Sequence, residues 1–285
     1  MRNFGTYPIT VNYNLHTRLR YQHNEDDLHR AGRYVEEKQL DIKVNTSSDA
    51  TIENNLWNQE LTEYEQAVCN MLRKVEGNPV GRMVLGLINK QTTVWIIPKS
   101  DAELKADFSA QTWPLNYDIQ PGSVARGVGS GDTVILFDPR LGDDTLFHEL
   151  VHAYRYSHKK FNPICIDIIN RYGNLDCGSS EEFLAHQMEN IYMSQANRPL
   201  TTDYYPPDNG TATKDEIYDF LLQHVDRMEA LKYFLRHEYL AMLAAHTFTN
   251  TAYNPFRDYG TLEAKLLQGF SISTLPELGA PPVQQ

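Results

Sequence analysis

The stretch LFHELVHAYR, residues 146–155, sets His148 and His152 four apart with Glu149 directly after the first. A helix turns once per about 3.6 residues, so both imidazoles project from one face and can bring two ring nitrogens to a single ion. That geometry suits tetrahedral zinc. Glu149, one step round the helix, can reach a water on the ion without binding the ion, which makes it the natural general base. Zinc lowers the pKa of its water, the carboxylate accepts the proton, and the resulting hydroxide attacks a carbonyl polarised by the same ion. The competing reading is an ordinary helix whose histidines pair with Glu149.

Two histidines do not complete a catalytic site, because zinc there takes three protein ligands and keeps one position open. The next candidate segment is GSSEEFLAHQMEN, in which Glu181 falls 29 residues after His152 (181 − 152). We expect Glu181 as third ligand, and Glu182 as the carboxylate that fixes the tautomer of a ligand histidine. Glu182 is the alternative ligand, with His186 and Asp176 behind it. A tetrahedral intermediate also needs a donor for its oxyanion. In TAYNPFRDYG the order of preference is Tyr253, Arg257, Tyr259, with Tyr154 beside the histidines, each competing with plain packing. His158, His224, His237 and His246 are assigned no chemistry.

These residues need elements to hold them. Leu61, Tyr64, Val68, Met71 or Leu72, and Val75 recur at helical spacing from about Gln59 to Gly77, and NPVGRMVLGLINKQ reads as a short second helix with Pro79 in its first turn. TTVWIIP and Thr133–Phe137 read as strands. LGDDTLFHELVHAYRY is a helix that Asp143 or Asp144 can cap, and Ser179 or Ser180 can cap the paired-glutamate helix to about Ala196. Around RYGNLDCGSS and RPLTTDYYPPDNGTAT we expect loops, and from Lys214 to His246 one long helix or two. TAYNPFRDYG looks loop-like, and the tail TLPELGAPPVQQ loose. GVGSGD is a turn, since Asp132 stands where a dinucleotide fingerprint needs glycine and a strand follows. Residues 1–55, ending in the polar NTSSDATIENN, read as an N-terminal extension ahead of a catalytic domain over 56–285; the alternative is that part of them adds strands to that domain.

The chain of 285 residues can bury a sizeable core. Twenty-six Lys and Arg against 37 acids give a net charge of −11, which argues against nucleic acid or an anionic membrane as main partner. No run of about eighteen apolar residues marks a membrane span, and the first residues lack a signal-peptide core. Three cysteines, Cys69, Cys165 and Cys177, show no Cys-x-x-Cys spacing, so no disulfide framework is expected and a reducing compartment is the simpler reading. Cys165 and Cys177 follow the histidine helix, whereas the cysteine ligand of peptide deformylases precedes it.

GVGSGDTVILFDP, LFHELVHAYR and SSEEFLAHQMEN, in that order and spacing, resemble the NleD-like family of bacterial effector metalloproteases over roughly residues 60–200. NPFRDY is a further point of likeness. More distantly, the chain is similar to clostridial neurotoxin light chains, whose later Glu-Glu helix binds zinc through its first glutamate. The resemblance implies one zinc ion and a zinc endopeptidase that type III secretion delivers, without a classical signal peptide, into the cytoplasm of a host cell. There it would cut a signalling protein, the family's known substrates including mitogen-activated protein kinases. It implies His148, His152 and Glu181 as ligands and Glu149 as base. The expected fold is α+β and zincin-like, with a small sheet over residues 92–98 and 133–137 packed on the histidine helix. If the 133–137 strand is an edge, it can pair with an extended substrate. The rivals are another zinc hydrolase, of deformylase or amidase type, and a binding protein that keeps zinc for structure.

Overall fold

The computed structural model describes residues 2–3, 7–11, 50–98, 109–114, 132–169, 175–201 and 211–273. The fold is mixed α+β, mostly helical with small sheets. The main sheet has five strands, β1 (Arg2–Asn3), β2 (Ile9–Val11), β3 (Val94–Pro98), β4 (Gln111–Pro114) and β5 (Thr133–Phe137), in the order β1-β2-β3-β5-β4. β2, β3 and β5 run parallel, with Val94 opposite Ile9 and Thr133. β4 is antiparallel to β5, Thr112 facing Ile135.

β5 is therefore an interior strand, and all five of its residues are buried. TVILF is a continuous apolar run because both faces are covered. Its expected role as an edge passes to β4. The N-terminal residues also differ from expectation, since β1 and β2 join this sheet and Ile9 is buried in the core. The first helix, α1 (Ala50–Gly77), starts inside the segment read as a linker. Residues 12–49, residues 127–131 of the expected GVGSGD turn and the tail after Ser273 lie outside the described residues, while Asp132 accepts from the Thr93 amide at 2.7 Å.

Tyr64, Val68, Leu72 and Val75 of α1 are buried, as their spacing requires. Asn78 caps α2 (Pro79–Leu87), accepting from the Val80 and Gly81 amides. A Cβ on Gly81 would stand 2.0 Å from the Val75 carbonyl oxygen, so only glycine lets these two helices meet this closely.

The histidine helix, α3 (Asp143–Ser157), follows β5 through a 3₁₀ turn at Pro139–Leu141. Its N-cap is Gly142 at φ 104, not an aspartate; Asp143 and Asp144 sit in the first turn. Asp143 instead accepts from Tyr192 Oη at 2.6 Å and Arg198 Nη2 at 3.0 Å, fixing the start of α3 to α4 (Ser180–Gln195). The stacked rings of Phe147 and Tyr192, 4.6 Å apart, add to that contact.

Between α3 and α4 lies an antiparallel pair, β6 (Cys165–Ile169) and β7 (Leu175–Ser179), where a loop was expected. Cys165 is disulfide-bonded, where no disulfide framework was expected, while Cys69 is free and buried. β8 (Leu200–Thr201) and β9 (Thr211–Ala212) form a further small pair in the expected loop.

The long helical region divides into three, α5 (Lys214–Leu222), α6 (Val225–His237) and α7 (Tyr239–Thr247). His224 (φ −134, ψ 128) and Glu238 (φ −114, ψ 117) are extended and break it. TAYNPFRDYG runs into α8 (Pro255–Ser273), so Arg257 and Tyr259 are helical, not in a loop. Among the described residues no helix is long and apolar enough to cross a membrane.

Candidate metal centre

His148 and His152 turn their Nε2 atoms toward each other at 3.2 Å. Glu182, on α4, closes the triangle: Oε2 is 3.1 Å from His148 Nε2 and Oε1 is 3.3 Å from His152 Nε2. Ligand atoms bonded at about 2.0–2.1 Å to a tetrahedral ion stand about 3.3 Å apart, so the three side chains already lie near the separations of such a set. These groups could hold a metal ion. Ser179 caps α4 by accepting from the Glu182 amide, which starts the helix where Glu182 meets the histidines.

Glu181, the expected ligand, is turned elsewhere. Its oxygens accept from Arg155 Nε at 2.9 Å and Nη2 at 2.8 Å, and one also accepts from the Asn162 amide at 2.7 Å. Neighbours on a helix point about 100° apart, so α4 cannot aim both glutamates at α3's histidine face. Glu182, and not Glu181, stands where a third ligand could sit, and the carboxylate on the far nitrogen of His148 is that of Glu189. Glu189 Oε2 lies 3.0 Å from His148 Nδ1 and 3.5 Å from His186 Nδ1. His186 is anchored in turn by the Thr201 carbonyl, 3.0 Å from Nε2.

His148, His186 and Glu189 form a second group that could hold an ion. The Nε2 group is the better one, because a neutral imidazole offers only one lone pair and a carboxylate on Nδ1 directs it to Nε2. His186 is thus a support and not a ligand of the first group. Asp176 lies in β7, its side chain outside the described residues.

Glu149 is buried and accepts from Thr112 Oγ1 of β4 at 2.5 Å. Burial raises its pKa, against the attraction of His148 and His152 and the Thr112 hydrogen bond. At His148 burial works toward the neutral ring, but Glu182 and Glu189 outweigh it and hold the pKa well above the ordinary value. Burial likewise opposes ionisation of Glu189, yet the hydrogen bonds from His148 and His186 bring its pKa down to about 2. Glu182 is also held low, by His152 and His148 against its burial.

The expected oxyanion donors are engaged in packing instead. Tyr253 is fully buried and donates to Gln187 Oε1, five residues along α4 from Glu182 and so on another side of the helix. Arg257 donates to the Thr249 and Thr251 carbonyls at 2.8 and 2.6 Å and forks onto Asp258. Tyr259 donates to Glu263. Tyr154 donates to Glu238 at 2.5 Å, where Arg155 also binds.

Sequence reasoning missed Glu189 and Thr112. Glu189 stands seven residues after Glu182 (189 − 182), the spacing that returns to one helix face, so a signal existed. Thr112 had none. Comparison with family models, curated proteins and solved structures finds no match for this chain.

Proposed function

We propose that the chain is a zinc-dependent endopeptidase with a zincin-like arrangement of sheet and histidine helix. The observation that carries the reading is the convergence of His148 Nε2, His152 Nε2 and Glu182 within 3.3 Å, with the buried carboxylate of Glu149 one residue from His148.

His148, His152 and Glu182 would hold the ion, and Glu189 would keep the His148 proton on Nδ1. Zinc, when bound, supplies an acidified water and polarises the carbonyl of the scissile bond. Glu149 would accept a proton from the attacking water and pass it to the departing amine. Thr112 fixes its orientation. β4 has no strand on its outer side among the described residues, so an extended substrate can pair there, beside Glu149.

The resemblance to NleD-like effectors extends this to a host signalling protein as substrate, with mitogen-activated protein kinases as the first candidates, and to delivery by type III export. Against a zinc site kept only for structure, the Nε2 group contains three residues among those described, which leaves a coordination position for water. A deformylase or amidase would need a small closed pocket, whereas an unpaired strand edge favours a peptide.

The test is zinc content and proteolysis of wild type and Glu149→Gln, with cleaved termini profiled in a host-cell lysate. The variant should keep its metal and lose cleavage. Equal cleavage by both proteins would end the peptidase mechanism, and a wild type that binds no metal would end the site.

A further inference from the structure

Beyond His152 the structure holds a cavity of about 620 Å³. One wall is the turn after α3, with Lys159, Lys160 and Phe161; the opposite wall is Tyr233 and His237 of α6. Phe161 is shared with the metal centre. Its ring packs edge-on against His152, centroids 6.1 Å apart, and stacks on Tyr156 at 4.1 Å. Phe161 thus joins the cavity to the metal centre.

The charge in the cavity can be followed group by group. Glu181 and Glu238 are two buried acids, and Arg155 binds both. Lys160 Nζ stands 3.8 Å from Glu238 and balances the second acid. Lys159 is then surplus: it is exposed and has no ion-pair partner among the described residues. His237 on the facing wall is exposed as well.

The turn is also built and not a loose surface loop. Arg155 Nη2 donates to the Lys160 carbonyl at 2.5 Å, and the Asn162 amide donates to Glu181 at 2.7 Å. Lys159 itself has φ 56, just past the end of α3, where glycine or asparagine is the ordinary residue.

We propose that this cavity is a substrate subsite for an anionic side chain, with Lys159 as the charge that selects it and Phe161 as its apolar wall. The proposal rests on the peptidase reading and adds the substrate class. A carboxylate and a phosphoryl group share the required chemistry.

The test uses the full chain and peptides of one fixed extended sequence, identical except at one position, which carries glutamate, phosphoserine, glutamine or lysine. Binding is read by fluorescence anisotropy on Glu149→Gln protein, so it does not depend on turnover, and kcat and KM are read on active protein. Glutamate or phosphoserine should bind about three- to tenfold more tightly than glutamine, with the difference in KM and not kcat. The tighter of the two identifies the natural source of charge. Lys159→Asn, which suits the left-handed backbone, should keep or raise Tm while losing most of that preference, and Lys159→Glu should turn it toward lysine. Peptides that bind equally whatever their charge, or a preference unchanged in both variants, would overturn the subsite. Charge-selective binding without any cleavage would leave the subsite standing and remove the peptidase reading instead.

Discussion

Arg155 and Glu181 meet as a two-point fork, Nε and Nη2 donating to the two carboxylate oxygens at 2.9 and 2.8 Å, with both side chains buried. Glu238 and Tyr154 complete the cluster, tying α3 and α4 to the break between α6 and α7. The adjacent glutamates of α4 thus have separate duties: Glu181 supports the framework, while Glu182 faces the histidines.

Glu181→Ala and Glu182→Ala should therefore fail differently. The first leaves Arg155 with only part of its compensation in a buried site, and about 3 kcal/mol of stability should be lost, the low end for a broken buried pair because Glu238 remains. The second should lower zinc affinity and cost the metal-free protein less stability than the first, because the Glu182 side chain is exposed where that of Glu181 is buried. Denaturant unfolding in chelator, together with zinc titration, separates them; greater loss of zinc affinity in Glu181→Ala would return the ligand role to Glu181.

Glu189→Gln should weaken zinc binding by about ten- to a hundredfold, the usual effect of losing the carboxylate behind a ligand histidine. Gln can still accept one hydrogen bond from His148 Nδ1 but carries no charge. Glu189→Ala should be worse than Glu189→Gln. Competition with a coloured chelator reads both, and unchanged affinity would show that Glu189 only pairs with His186.

Tyr253→Phe tests the oxyanion expectation that the structure redirects. Removing the hydroxyl leaves Gln187 Oε1 without its buried donor, at a cost of about 1–3 kcal/mol. Cleavage per folded molecule should be unchanged. A fall in kcat of a hundredfold or more, with stability intact, would mean that Tyr253 reaches the reacting carbonyl.

Much of the site was legible from local spacing. His148, Glu149 and His152 share one turn of one helix, and helical geometry alone brings the two imidazoles together. The β3 and β5 strands, α2 with its proline, and the start of α4 at Ser179 were also legible, because each depends on neighbours in sequence. The three-way split after Lys214 was not, since Glu238 leaves helical geometry with its carboxylate held by Arg155, 83 residues back in the chain.

The sequence by itself determined two histidines on one helix face, a glutamate beside them, and a following helix that begins with two adjacent glutamates. Which of the two glutamates faces the histidines was decided only by tertiary structure. A rotation of about 100° separates them, and the packing of α4 on α3, fixed by Phe147 against Tyr192 and Asp143 against Arg198, sets which one faces inward. Tertiary structure likewise made β4 the last strand of the sheet among the described residues, beside Glu149, and put Lys159 on the wall of a cavity, because strand order and loop closure depend on contacts between residues far apart in the chain.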